Sequence, residues 1–352
     1  MLQLLATPDN PVPPHPHLVE VKTKDAVRLR AAYWLPEGGS PKGTVCVIQG
    51  RAEFIEKYYE VIGELLDRGF AVVTFDWRGQ GLSSRQVKNA RKGHVRRFAD
   101  FRRDIEAIRD QVLVPFLPEP YFALAHSMGG AIALSAAYES WLPFRRLVTT
   151  SPMVAIAMVP YAKASAVLIR IMRWLGFGKA FVPGGGATSI STKPFKGNRL
   201  TSDAVRYERN AHAAQAIGDG AIGAPTVSWL DSSFRFMKRF TDPRYAPKIR
   251  LPTLIVAAGA DPVCSTPATE RFAARLKAGH AIVIPGAKHE ILMETDAIRE
   301  QFWAAFDAFI PGTPDESVDG RAGPAELAAQ QFDGGGVDAT VARSDDAAAL
   351  SG

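Results

Sequence analysis

The chain has 352 residues, 47% of them aliphatic or aromatic and 22% charged, a balance that excludes a disordered chain, a collagen-like fibre and a disulfide-stapled miniprotein. The net charge of +6 is unevenly spread: residues 311–352 hold eight acids and two bases, a net of −6, which leaves +12 on residues 1–310. The two cysteines, Cys46 and Cys264, are too few for a cystine network and read as buried small apolar residues in a reducing compartment.

Residues 1–19 form a Pro-rich leader without the basic start and long apolar run of a signal peptide. No run of about 18 uncharged apolar residues follows. The expected location is the cytoplasm, with at most peripheral contact at the inner face of a membrane. Ala26–Leu35 and Gly43–Ile48 read as strands, Phe54–Arg68 as a helix ended by Gly69, and Ala71–Phe75 as a buried strand. Phe98, Phe101, Ile105, Ile108 and Val112 recur at helical spacing. Tyr121–Ala125 is a strand, Gly129–Glu139 a helix and Leu147–Thr150 a strand. The same rhythm returns as strand Thr253–Ala258, helix Thr266–Lys277, strand Ala281–Ile284 and a closing helix from about Met293 to Phe309. Buried strands alternating with helices predict an α/β fold, a mostly parallel sheet with helices on both faces. Residues 20–151 and 251–310 make this core. Residues 152–250 break the rhythm and read as a helical cap over the C-terminal strand edge, where such sheets bind ligands. The acidic, Gly- and Ala-rich segment 311–352 is expected to be disordered.

Ala125-His126-Ser127-Met128-Gly129 sits where a buried strand turns into a helix, a place that holds a serine hydroxyl exposed on a tight turn. Ala125 stands where the usual pattern has Gly. Serine is a weak nucleophile and needs a base, which in turn needs an orienting acid. Asp261 and His289 each follow a late strand through a Gly-containing loop, in the chain order Ser, acid, His. His126 should point away from the hydroxyl next to it. His280 opens a strand rather than following one, and His15 and His17 lie in the leader. His94 reads as structural, or as a cap or pocket-lining residue. Asp76 is the runner-up acid, in a stretch that reads better as a turn. Donors for a developing oxyanion are expected from the backbone N–H of Met128 and of Arg51, the latter after Gly50 in the loop that follows an early strand. The side chains of Arg51 and Glu53 are left for another purpose, such as fixing the loop or touching a headgroup.

Gln49-Gly50-Arg51-Ala52-Glu53, Asp76-Trp77-Arg78-Gly79-Gln80-Gly81-Leu82-Ser83, Gly93-His94-Val95, His126-Ser127-Met128-Gly129-Gly130, Gly259-Ala260-Asp261-Pro262-Val263 and Gly286-Ala287-Lys288-His289-Glu290 occur in that order. As a set they resemble the α/β-hydrolase fold and, within it, the monoacylglycerol lipase and lysophospholipase L2 group, over roughly residues 20 to 310. The resemblance implies a serine ester hydrolase with Ser127, Asp261 and His289 as its triad, acting on lipid esters with one acyl chain. Gln49 stands where many members carry His. An acyltransferase or a general carboxylesterase would use the same residues, and a non-catalytic membrane-binding protein would keep only the fold.

In the cap, Ala157–Leu175 is expected to contain a helix after Pro160, with Lys163, Arg170 and Arg173 in one sector and Leu168, Ile171, Met172 and Leu175 opposite. Either this helix lies on an anionic membrane, or its apolar face packs on the core with its charges in water. The second is the ordinary arrangement of a cap helix and is the one expected, although a lipase-like enzyme favours interfacial contact. The basic cluster Arg91, Lys92, Arg96, Arg97, Arg102 and Arg103 carries the same two readings. No nucleic-acid module accompanies the basic body, so nucleic acid is not an expected partner. No metal-ligand motif, Walker A loop or dinucleotide fingerprint occurs, so neither a metal nor a cofactor is expected.

Overall fold

In a computed structural model that describes residues 2–159 and 161–310, the strands are β1 (His17–Lys22), β2 (Arg28–Trp34), β3 (Thr44–Ile48), β4 (Ala71–Phe75), β5 (Tyr121–His126), β6 (Phe144–Thr150), β7 (Thr253–Ala258) and β8 (Gly279–Ile284). They form one sheet in the order β1-β2-β4-β3-β5-β6-β7-β8. The β1–β2 and β2–β4 pairings are antiparallel, and the others are parallel. The helices are α1 (Tyr59–Asp67), α2 (Asp100–Ile108), α3 (Val114–Phe116), α4 (Ser127–Tyr138), α5 (Ala162–Trp174), α6 (Ala204–Ala216), α7 (Val227–Thr241), α8 (Thr266–Ala273) and α9 (Asp296–Phe309). The tail expected to be disordered, residues 311–352, lies outside the described residues.

Every residue of β3, β4, β5 and β7 is buried, as strands covered on both faces must be. Alternation along each strand divides the core in two. Cys46 and Ile48 join the cluster under α2, α4 and α7, while Val45 and Val47 join the one under α1 and α9.

Several elements differ from expectation. The helix expected from Phe54 opens as a 3₁₀ turn, Ile55–Tyr58, because Asp76 Oδ1 accepts the Ile55 N–H at 3.0 Å and fixes the start. The helix after Phe98 passes through a π-helical turn, Arg109–Leu113. Helix α8 stops at Ala273, four residues early, and α9 starts at Asp296 after a 3₁₀ turn at Ile291–Met293. The edge strand β1 begins at His17, inside the segment read as a leader. That leader is tied to the core: Trp34 Nε1 donates to the Pro13 carbonyl at 3.1 Å, Arg30 Nη1 to that of Gln3 at 2.9 Å, and Asn10 Nδ2 to that of Glu56 at 2.8 Å.

Residues 152–250 run from the end of β6 to the start of β7 and carry α5, α6 and α7. Helix α7 is anchored by Trp229 and Phe236, whose rings lie 5.2 and 5.0 Å from that of Phe98. Helix α6 is anchored by Arg206 and Arg209, both paired with Glu60 of α1. The favoured reading of α5 is corrected. Arg173 turns in to the buried Asp231 of α7, Arg170 reaches the same carboxylate while staying largely exposed, and Lys163 is exposed. The helix's apolar residues Val167, Leu168, Ile171 and Trp174 are exposed, Trp174 by 84%. Asp231 also pairs with Arg235 of its own helix at 3.0 Å, and the two arginines of α5 add to that pairing.

Candidate active site

Strands β3, β5, β7 and β8 end at one edge, and the register places the chain segments that follow them side by side. Ser127 begins α4 directly after β5, with φ of +49°, a left-handed backbone uncommon for a residue with a side chain. The turn closes only because residue 129 is glycine: a Cβ there would lie 2.4 Å from the Gln49 carbonyl oxygen and 2.5 Å from that of Ile48. Ala125, in the strand itself, is fully buried and is accommodated.

Ser127 Oγ lies 2.9 Å from His289 Nε2, and His289 Nδ1 lies 2.8 Å from Asp261 Oδ2. Asp261 Oδ1 accepts the backbone N–H groups of Val263 at 2.8 Å and Cys264 at 3.0 Å. Burial pushes the Asp261 carboxyl up, but the hydrogen bond and charge of His289 and these two N–H groups outweigh it and hold it below the usual carboxylate range. The fold therefore brings together the three side chains that the sequence singles out. The Cys264 thiol, pushed well up by burial, lies against the same group. Asp261, Cys264 and His289 offer ligand atoms within 4.8 Å of one another, yet both imidazole nitrogens already face protein partners.

Met128 lies in the first turn of α4, where no carbonyl of the helix reaches its N–H. Gly50 and Ala52, on either side of Arg51, donate their N–H groups to Glu53 and Gln80. The remaining candidates are elsewhere engaged. His126 Nδ1 lies 2.9 Å from Thr150 Oγ1, its ring packs 4.9 Å from that of His289, and burial pushes it down to about 4, so it is neutral near pH 7. His94 Nδ1 meets Thr226 Oγ1 at 2.9 Å, which braces the start of α7. Asp76 accepts from Arg30 Nε and from the N–H groups of Ile55 and Leu82, a structural hub. In the basic cluster, Arg91, Arg97, Arg102 and Arg103 pair with acids.

Sequence reasoning missed a buried charge trio beside the triad. Lys57 Nζ lies 2.8 Å from Glu53 Oε1 and 2.6 Å from Glu290 Oε1, and Tyr58 Oη donates to Glu53 Oε2 at 2.7 Å. Burial pushes the Lys57 ammonium down, and the two carboxylates more than reverse this, so it stays charged. The available signals were the i,i+4 spacing of Glu53 and Lys57 and the position of Glu290 next to His289, neither of which reveals burial.

Ser127, His289, Glu53 and Glu290 line a cavity of about 810 Å³, within the range typical of ligand pockets. Its walls are mainly apolar, among them Met153, Ile156, Leu168, Ile169 and Val263, and many come from residues 152–250.

A sheet of this topology, with a serine on the turn after its central strand β5, is the α/β-hydrolase fold, and the chain is a carboxylic ester hydrolase of that class. A family model described as "Serine aminopeptidase, S33" matches residues 39–296, and the chain belongs to that family. It is 32% identical over 264 residues to "Lysophospholipase L2" of Escherichia coli (strain K12), covering 72% of this chain and 76% of the relative. It is 28% identical over 289 residues to "Probable lysophospholipase L2" of Haemophilus influenzae, covering 82% and 90%. A solved monoglyceride lipase from Saccharomyces cerevisiae superposes with a TM-score of 0.64 at 19% identity, over 83% of this chain and 94% of that one, a likeness of fold.

Proposed function

We propose that the protein hydrolyses a lipid ester bearing a single acyl chain, with Ser127 as nucleophile, His289 as general base and acid, and Asp261 as the group that orients the imidazole. One observation carries this reading: a continuous Ser127–His289–Asp261 hydrogen-bond chain opens into a largely apolar cavity. With Nδ1–H directed at Asp261, Nε2 is left as the acceptor for the Ser127 proton. As that proton moves to Nε2, Oγ bonds to the acyl carbon, and the carbonyl π electrons go to its oxygen. The N–H groups of Met128 and Arg51 are the expected donors to this oxyanion. Collapse of the intermediate breaks the ester C–O bond, and His289 returns the proton to the leaving alcohol. Water then attacks the acyl-enzyme, losing its proton to His289. The fatty acid leaves, and Ser127 recovers its proton.

Residues 152–250 serve as the cap of this site, and the exposed apolar face of α5 is its contact with lipid. Met158 and Leu168 support this, because each both lines the cavity and is exposed, by 45% and 52%. The apolar strip on α5 thus runs into the cavity wall. No helix among the described residues is long and apolar enough to cross a membrane, and contact of this kind is peripheral.

A fluorophosphonate probe should label the wild-type chain and not Ser127→Ala. A panel of p-nitrophenyl esters, monoacylglycerols and lysophospholipids should give the highest turnover on the single-chain lipids. An unlabelled wild type with no hydrolysis of any ester refutes the proposal.

A further inference from the structure

Among the described residues, two cations of the cavity wall have no acid partner, the exposed Lys193 and the half-buried Arg51. Arg51 follows Gly50 in the loop after β3, and its guanidinium lies under the cap. Nη2 donates to the Gly223 carbonyl, and Cζ sits 5.3 Å from the centre of the Trp229 ring. Its Nε is buried and has no hydrogen-bond partner. Among the described residues no carboxylate pairs with it, and burial is what acts on it, pushing it down to about 10, so the charge persists near neutrality. The space is cleared on purpose, since a Cβ at Gly93 would lie 2.5 Å from Nη2. The buried cation of this region, Lys57, is already held between Glu53 and Glu290. A half-buried guanidinium that faces the cavity, keeps its charge and has donors to spare calls for an anion from the ligand.

We infer that the Arg51 side chain binds the phosphodiester of the substrate's headgroup, so that the site selects lysophospholipids over monoacylglycerols of the same acyl chain. This inference rests on the proposed triad chemistry and names the substrate class for it. A glycerol headgroup brings hydroxyls but no charge and leaves the guanidinium uncompensated. A phosphodiester brings one negative charge and two oxygens in a geometry that suits the guanidinium fork. Connectivity agrees. The path from the backbone nitrogen of arginine to Cζ crosses as many bonds as the path from the ester carbonyl carbon to phosphorus in a 1-acyl lysophospholipid. One residue can therefore face the reacting carbonyl with its main chain and the phosphate with its side chain.

The test compares kcat/KM of the full-length chain on 1-palmitoyl lysophosphatidylcholine and 1-palmitoylglycerol, presented in the same mixed micelles. The wild type should favour the phospholipid. In Arg51→Met the ratio of the two values should fall by about 10- to 100-fold, the loss of a charge-assisted hydrogen bond. Arg51→Lys should restore part of it as a point charge. A ratio unchanged in Arg51→Met, with both substrates affected alike, makes Arg51 a tie between loop and cap and overturns the inference.

A second measurement needs no variant. sn-Glycero-3-phosphocholine should inhibit wild-type hydrolysis of p-nitrophenyl butyrate at least about 10-fold more tightly than glycerol, as expected for one charge-assisted hydrogen bond. Inorganic phosphate that inhibits as tightly assigns a free-anion site and overturns the headgroup assignment. A wild type labelled by fluorophosphonate that cleaves both lipids without preference overturns only this inference. One that is neither labelled nor active overturns the triad reading with it.

Discussion

Lys57 Nζ lies 2.6 Å from Glu290 Oε1, and Glu290 follows His289 directly in the chain. Through Glu53, bonded to the same ammonium, this cation joins the loop after β3 to the loop after β8. All three side chains are buried. Removing the cation leaves two buried carboxylates facing each other, and breaking a buried pair costs about 3–5 kcal/mol. Lys57→Met should therefore lose about that much stability in urea unfolding, and Lys57→Met with Glu290→Gln should recover part of it. A single variant within about 0.5 kcal/mol of wild type, the range of ordinary surface substitutions, would show that the trio does not brace the fold.

Glu60 gives a pH dependence of defined sign. Burial pushes its carboxyl up, but Arg206, Arg299 and Arg209 overcome this and hold it at about 2, below the usual 4.5. A carboxyl lowered in the folded state contributes stability that is fully present above pH 4.5 and lost as pH falls through about 2. The stability difference between wild type and Glu60→Gln should thus be largest above pH 4.5 and shrink steadily toward pH 2. Acids remote from Glu60 titrate alike in both proteins and cancel from the difference, which leaves Glu60 and its neighbour Glu64, whose carboxyl the Glu60 charge helps to push up. A difference that does not change with pH excludes this linkage.

The parallel sheet was legible because β3, β4, β5 and β7 are continuous apolar runs of strand length. Ser127, Asp261 and His289 were legible because each follows such a run. Strand β1 was hidden: His17–Lys22 alternates apolar and polar residues beside prolines, and its pairing depends on a register with β2 that the sequence does not display. Lys57 and Glu290 were read past, and Glu53 was given only a loop-fixing or headgroup role, because charged residues are usually solvated and nothing local announces that three of them share one buried space. The orientation of α5 was misjudged for a related reason. Its amphipathic pattern allows either face to turn in, and the carboxylate that Arg170 and Arg173 reach, Asp231, lies on another helix.

The lipid contact proposed for the exposed face of α5 predicts different effects on dispersed esters and at an interface. Ile171 and Trp174 are 49% and 84% exposed and cover no core, so replacing both with Ser should change folding stability little. The double variant should bind vesicles of lysophospholipid and phosphatidylcholine several-fold more weakly in a sedimentation assay. It should also lose turnover on those vesicles while keeping turnover on p-nitrophenyl butyrate. Each buried apolar side chain is worth about 1.5–3 kcal/mol, so a contact using both residues could not survive their loss unchanged. Equal vesicle binding by the two proteins would place the lipid contact on another surface.

Asp261→Asn should keep the fold and lose the chemistry. Asp261 Oδ1 is fixed by the N–H groups of Val263 and Cys264, so an asparagine there would direct its oxygen to those donors and its NH₂ toward His289 Nδ1. Nδ1 must then act as acceptor, which puts the imidazole proton on Nε2, facing Ser127 Oγ. A protonated Nε2 cannot take the serine proton, and a wrong-tautomer substitution of this kind costs about 10⁴ in kcat. The expected outcome is a kcat on p-nitrophenyl butyrate reduced by about that factor, slow fluorophosphonate labelling, and an unfolding midpoint close to that of wild type. A variant whose kcat stays within about tenfold of wild type would mean that Asp261 does not set the tautomer, a role whose loss costs about 10⁴. The orienting acid would then have to be sought among the other carboxylates near His289, beginning with Glu53 and Glu290.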